Sequence, residues 1–185
     1  MKRLSIFLAA VVALGLMPGY AQSPEANATT AAQPAAPKVL SFDFTDTHAT
    51  KIRVEETPDG LRYTTLPGKN VITMFYIYSG TPCRNELKMF SEKILPKHPD
   101  LAIVTYELKG LSPEKLKAFE AELGLKGIHL INTQQAMPFA DYIARRIRWQ
   151  GSVPLLIVSN KNGTVKHMQL GAMSAEQTEA ILKKL

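Results

Sequence analysis

Val71-Ile72-Thr73-Met74-Phe75-Tyr76-Ile77-Tyr78, followed directly by Ser79-Gly80-Thr81-Pro82-Cys83-Arg84-Asn85-Glu86-Leu87, is the stretch that decides the fold. Its first eight residues are β-branched, aromatic or Met, the make-up of a strand buried on both faces. From Arg84 to Leu95 the pattern changes to helical period, with Leu87, Phe90, Ile94 and Leu95 along one side, and Pro96 ends it. A buried strand feeding an amphipathic helix opens an α/β unit.

Downstream the alternation continues. Leu101 to Tyr106 reads as the next strand. Ser112-Pro113-Glu114 gives an N-cap with Pro at the first helical position, and that helix runs to Leu123 before Gly124. Ile128 to Ile131 is a short strand, and Gln134 to Trp149 a helix with Pro138 inside it. Leu155 to Val158 is strongly β. Asn160 to Gly163 is a hairpin turn, and Val165 to Leu170 is the return strand. Ser174-Ala175-Glu176-Gln177 is a capping box for a last helix. Upstream, Ser41 to Phe44, Lys51 to Val54 and Leu61 to Thr65 read as short strands around turns such as Pro58-Asp59-Gly60. The order predicts a central sheet with helices on both faces, Val71–Tyr78 and Leu155–Val158 as central neighbours, and an N-terminal strand extension.

Composition narrows the class. The chain has 185 residues, 45% hydrophobic and 21% charged, which excludes wholesale disorder and collagen-like repetition. Cys83 is the single cysteine, so an intramolecular disulfide and a zinc site of several thiolates are both excluded. The net charge is +6, with no basic run interleaved with aromatics, so nucleic acid is not an expected partner.

The N-terminus reads as an address. Lys2-Arg3 precedes an apolar stretch from Leu4 to Met17, then Pro18 and the small-residue segment Gly19-Tyr20-Ala21. This is the layout of a secretory signal peptide, cleaved after Ala21. An uncleaved anchor is the alternative, but the run is short of the ~20 apolar residues a span needs. Residues 1–21 are thus a signal peptide, which places the mature chain in the periplasm with no stable membrane span. Residues 22–38, rich in Ala, Pro and Thr, are a disordered linker, and 39–185 are the folded domain. Asn27-Ala28-Thr29 fits a glycosylation acceptor, which carries little weight in a bacterial-style export context.

Several motifs in order resemble the TlpA-type branch of the thioredoxin-like family. They are Gly68-Lys69 before the central strand, Thr81-Pro82-Cys83-Arg84-Asn85-Glu86 opening the first helix, Glu114 and Phe119 in the next, and Gly151-Ser152-Val153-Pro154 before Leu155. Asn160-Lys161-Asn162-Gly163 sits where the family has an Asp-x-x-Gly turn. The resemblance spans roughly Phe42 to Leu185 and implies a thioredoxin-like fold with a cis Val153–Pro154 bond. It also implies a Trp-Cys-x-Pro-Cys active site, and there this sequence departs. Gly80 stands at the attacking cysteine, Ser79 at the tryptophan, and Met74 where many members hold a buried proton-transfer group. Only the resolving cysteine remains, as Cys83.

Two functions follow. In one, the chain is a non-catalytic domain that holds a periplasmic protein or extended peptide by strand addition at Val153 and Pro154. Ser79, Gly80, Thr81 and Pro82 then rim the groove. In the other it is a redox protein whose one thiol, Cys83, forms mixed disulfides that an outside thiol must resolve. Cys83 is either a small buried hydrophobe or a thiol activated by Arg84 and the helix N-terminus. A peroxiredoxin site is excluded, because the residue three before Cys83 is Gly80, not Thr or Ser. His48, His98, His129 and His167 lack metal-ligand spacing and read as solvated or locally hydrogen-bonded. Arg145, Arg146 and Arg148 complement a helix C-terminus. Ile143, Ile147 and Trp149 read as a core-facing side. Asn160–Gly163 has too few oxygens for a calcium loop, and nothing in the chain indicates a cofactor or a metal.

Overall fold

The central apolar run becomes strand β4, Asn70–Tyr76, in a computed structural model that describes residues 39–185. The signal peptide and linker assigned to residues 1–38 lie outside the described residues. Before β4 come β1 (Ser41–Thr45), β2 (Lys51–Thr57) and β3 (Gly60–Tyr63). After it come α1 (Thr81–Met89), β5 (Leu101–Glu107), α2 (Pro113–Leu123), β6 (Ile128–Ile131) and α3 (Thr133–Ile147). The chain closes with β7 (Leu155–Ser159), β8 (Val165–Leu170) and α4 (Ala175–Leu182).

Five strands form a mixed sheet in the order β6-β5-β4-β7-β8, with β4 at its centre. β4 runs parallel to β5 and antiparallel to β7, with Phe75 opposite Leu155. The N-terminal extension is a separate antiparallel sheet, β1-β2-β3. Alternate residues of each central strand enter two cores. Val71, Phe75, Leu155 and Ile157 join α3 and the N-terminal sheet, while Ile72, Met74, Leu156 and Val158 join α1, α2 and α4. The continuous apolar runs at 71–76 and 155–158 therefore reflect burial on both faces. Between the sheets, Tyr63 Oη meets Thr73 Oγ1 at 2.7 Å and Tyr106 Oη at 3.2 Å, so the buried hydroxyls satisfy one another.

Three local expectations need correction. The first helix starts at Thr81 rather than Arg84, because Thr81 and Pro82 fill the first turn, where a missing N–H costs nothing. Pro96 does not end it abruptly. A π-turn, Phe90–Ile94, and a 3₁₀ turn, Leu95–Lys97, carry the chain on, with Pro96 in the first turn of the latter. Ile147 is not core. It is 37% exposed, since α3 ends there and Arg148 turns left-handed at φ 56. α3 itself passes unbroken through Pro138, which is exposed, as is Gln134, whose carbonyl the proline leaves unpaired.

Candidate functional site

The turn between β4 and α1 gathers five of the sequence-nominated residues. Gly80 is the N-cap of α1 in extended backbone, φ −80 and ψ 116, with its N–H donating to Ile77 O at 3.2 Å. Its carbonyl accepts from Arg84 N–H at 3.0 Å, and no side chain caps the helix. Ser79, Thr81 and Pro82 are exposed around it. Val153 and Pro154 arrive from the other side. Continuing the β4–β7 register beyond Phe75–Leu155 sets Tyr76 against Pro154 and Ile77 against Val153. The Val153–Pro154 bond is cis. Both halves of the candidate groove thus lie at the same end of the central sheet.

Cys83 sits one turn into α1 and is 1% exposed. A Cβ added to Gly80 would lie 3.4 Å from Cys83 Sγ and 3.1 Å from Ile77 Cγ1. Burial pushes the Cys83 thiol up, the nearby Glu86 charge adds to that, and a hydrogen bond with the Ile77 backbone counters only part of it. Arg84 does not lower it. Its guanidinium lies over the Phe119 ring at 5.3 Å, donates to Tyr78 O and pairs with Glu122.

Two carboxylates escaped the sequence reasoning as site residues. Glu86, three residues after Cys83, is 3% exposed and lines an open cavity of about 410 Å³ with Thr81, Pro82, Asn85 and Met173. Met173 N–H donates to its Oε1 at 2.8 Å, while Oε2 is buried without a partner. Burial pushes Glu86 up to about 7 against the pull of the Met173 bond. The available signal was a charge on the apolar face of α1, in register with Cys83 and Leu87. Glu107, at the end of β5, is fully buried. It accepts from Lys109 N–H (2.7 Å), Gly110 N–H (3.1 Å), Leu111 N–H (3.0 Å), Tyr78 N–H (3.5 Å) and the Thr133 hydroxyl. One carboxylate thereby fixes the β4–α1 turn, the β5–α2 loop and the start of α3. Lys109 Nζ reaches on to Ser79 Oγ at 3.0 Å. Met74 is wholly buried in the core below and offers no polar atom for proton transfer.

The histidines lie elsewhere. His129 pairs with Asp46 (2.7 Å), His48 with Glu120 (2.6 Å) and His98 with Glu179 (2.9 Å), partners 72 to 83 residues apart in the chain that no local spacing reveals. Among the described residues no three His, Cys, Asp or Glu side chains gather as a metal site, and no helix is long and apolar enough to cross a membrane.

An α1 docked at the C-terminal end of a central β4, a cis-proline facing it just ahead of β7, and helices on both faces define a thioredoxin-like α/β fold. Solved structures share it. StoA from Bacillus subtilis aligns with TM-score 0.56 at 19% identity over 80% of this chain and 99% of that one. A thioredoxin-family thiol:disulfide interchange protein from Chlorobium tepidum aligns with TM-score 0.60 at 17% identity over 78% of this chain and 92% of that one. A secreted Mycobacterium tuberculosis disulfide oxidoreductase aligns with TM-score 0.56 at 17% identity over 78% and 96%. No protein-family model and no curated protein matches the chain.

Proposed function

We propose that this is an exported, TlpA-type thioredoxin-fold protein that has lost its dithiol centre and holds a periplasmic protein or extended peptide without redox turnover. Residues 1–21 direct export and residues 22–38 tether the domain at 39–185. The secreted Mycobacterium tuberculosis neighbour is consistent with that address. The observation that carries the reading is the pair Gly80 and Cys83. The cap position has no side chain, and the one remaining thiol is buried with its ionisation suppressed. A mixed disulfide on Cys83 would have no internal thiol to release it. An extended chain laid against the Val153 backbone needs no thiol, and Ser79, Thr81 and Pro82 rim the place where it would lie.

The test restores the missing atom. The protein as it stands is expected to show no dithiol reductase or oxidase turnover in an insulin or disulfide-exchange assay. In Gly80→Cys the new Cβ starts 3.4 Å from Cys83 Sγ in a backbone conformation open to any residue, and Ile77 must shift by a few tenths of an ångström. Oxidised glutathione should then convert the two thiols to one disulfide, releasing two reduced glutathiones, and the variant should gain slow exchange activity. Turnover by the unmodified protein, abolished in Cys83→Ser, would establish the one-thiol enzyme instead.

A further inference from the structure

On the opposite face of the sheet from Cys83, β8 leaves an edge open. The Gly171 N–H donates to Pro154 O at 2.8 Å, which sets the phase of the β7–β8 ladder. His167 and Gln169 bond back to β7, so the backbone groups of Met168 and Leu170 point away from it, while the ladder shifts register at Lys166. The β2–β3 turn covers only the start of the strand, through Leu61 N–H to Gly163 O, Val165 N–H to Asp59 O and the Gly60–Thr164 bridge. Among the described residues no strand pairs with the rest.

Beside this edge runs an apolar groove. Two cavities of about 350 and 280 Å³ lie between the end of α3 and β8, and they share Ile147 and Met168. Met168 is 48% exposed and Leu170 58%, and together with Ile147 they flank a floor of Leu155, Ile157 and Trp149. The rim is basic. Arg146 lines the first cavity and Arg148 the second, both from the end of α3, and Lys166 stands at the start of β8, all exposed. Glu56 is the one carboxylate lining either cavity, and Arg146 already pairs with it at 2.7 Å.

We propose that the Lys166–Leu170 edge accepts an extended acidic segment of a partner protein as a sixth strand, its alternate apolar side chains entering the groove beside Met168 and Leu170. Met168 and Leu170 are two residues apart on one face, the spacing at which an added strand presents its own alternate side chains. The charge selects the occupant. Lys166 at the start of the edge and the Arg146 and Arg148 side chains disfavour a basic strand and favour carboxylates between the apolar positions. A second copy would set one basic rim against another. The chain's own residues 22–38 carry one carboxylate, Glu25, against Lys38, and so bring no complementary charge. This surface lies on the far side of the sheet from α1, and the proposal does not depend on the function of the Val153 groove.

The test uses the full chain and a fluorescein-labelled peptide, Glu-Val-Glu-Leu-Glu-Val-Glu-Leu, read by fluorescence anisotropy. Saturable, salt-sensitive binding is expected, with amide hydrogen exchange slowed at Met168 and Leu170. Met168→Pro removes an outward N–H without breaking a bond to β7. It should weaken binding about tenfold or more. Leu170→Glu with Arg148→Glu changes only exposed side chains and should do the same if the proline variant folds poorly. Thr81→Ala, at the other groove, should leave the affinity unchanged. The proposal is overturned if the Lys-for-Glu peptide binds equally well, or if Met168→Pro or the double glutamate variant folds and binds like the parent. Capture of phosphatidylglycerol vesicles in place of the peptide, or a light-scattering dimer lost on either change, also overturns it.

Discussion

Glu86 has one oxygen on the Met173 amide and the other buried with nothing to bond. Burial favours its protonated form, raising it from the ordinary 4.5 to about 7. The folded state therefore binds a proton more tightly than the unfolded chain does. The resulting stability is full below about pH 4.5 and is lost as pH rises through 7. The loss is on the order of 3 kcal/mol, or roughly 10 °C in melting temperature. Thermal melts of the parent should fall over this range, and those of Glu86→Gln should stay nearly flat; equal slopes would clear Glu86 of the effect. The sequence held this residue in plain view within the Cys83-to-Glu86 motif. Polarity patterning assigns a helix charge to solvent, so its burial showed only once the Ala172–Met173 segment packed against it. Glu107 was hidden for a related reason. Three of its partners are backbone amides of the turn that follows it, which becomes a cradle only when folded.

At the level of elements, the periods were legible and the ends were not. The runs at 71–76 and 155–158 announced buried strands because both faces are covered. Pro82, Pro96 and Pro138 were harder, since a proline's effect depends on which carbonyl it orphans and whether water reaches it. Two glycines separate local strain from collision. Gly124 closes α2 at φ 64 with open space around it, so Gly124→Ala should cost about 1 kcal/mol from the left-handed backbone alone. Gly163 lies in the β7–β8 turn at φ 85, and an added Cβ would stand 2.7 Å from Arg62 Cβ and 2.9 Å from Arg62 Cα. Gly163→Ala forces β3 away from that turn and should cost about 3 kcal/mol or more. Chemical denaturation of the two variants checks the order, and equal costs would mean that the contact between the two sheets yields freely.

Across the whole molecule, the order of strands and helices in the sequence sufficed for the fold, whereas the pairing of distant polar groups did not. His129–Asp46, His48–Glu120 and His98–Glu179 join segments that become neighbours only after the sheets and helices pack. The aromatic cluster is also a product of assembly. Phe42 and Phe44 come from the N-terminal sheet, Phe75 and Tyr106 from the central one, and Phe139 and Tyr142 from α3. Trp149 joins it with its ring 5.3 Å from Phe75, and its Nε1–H donates to Ser152 O at 2.8 Å. It is the only tryptophan in the chain, is 9% exposed, and contributes to the floor of the groove beside β8. The protein is thereby supplied with its own optical gauge. Emission excited in the indole band should be short-wavelength when native and shift red on denaturation. Acrylamide quenching of the native protein should drop when an acidic peptide covers the groove and return in Met168→Pro. Steady-state intensity from one unmodified chromophore then follows both the integrity of the aromatic core and the occupancy of its outer wall.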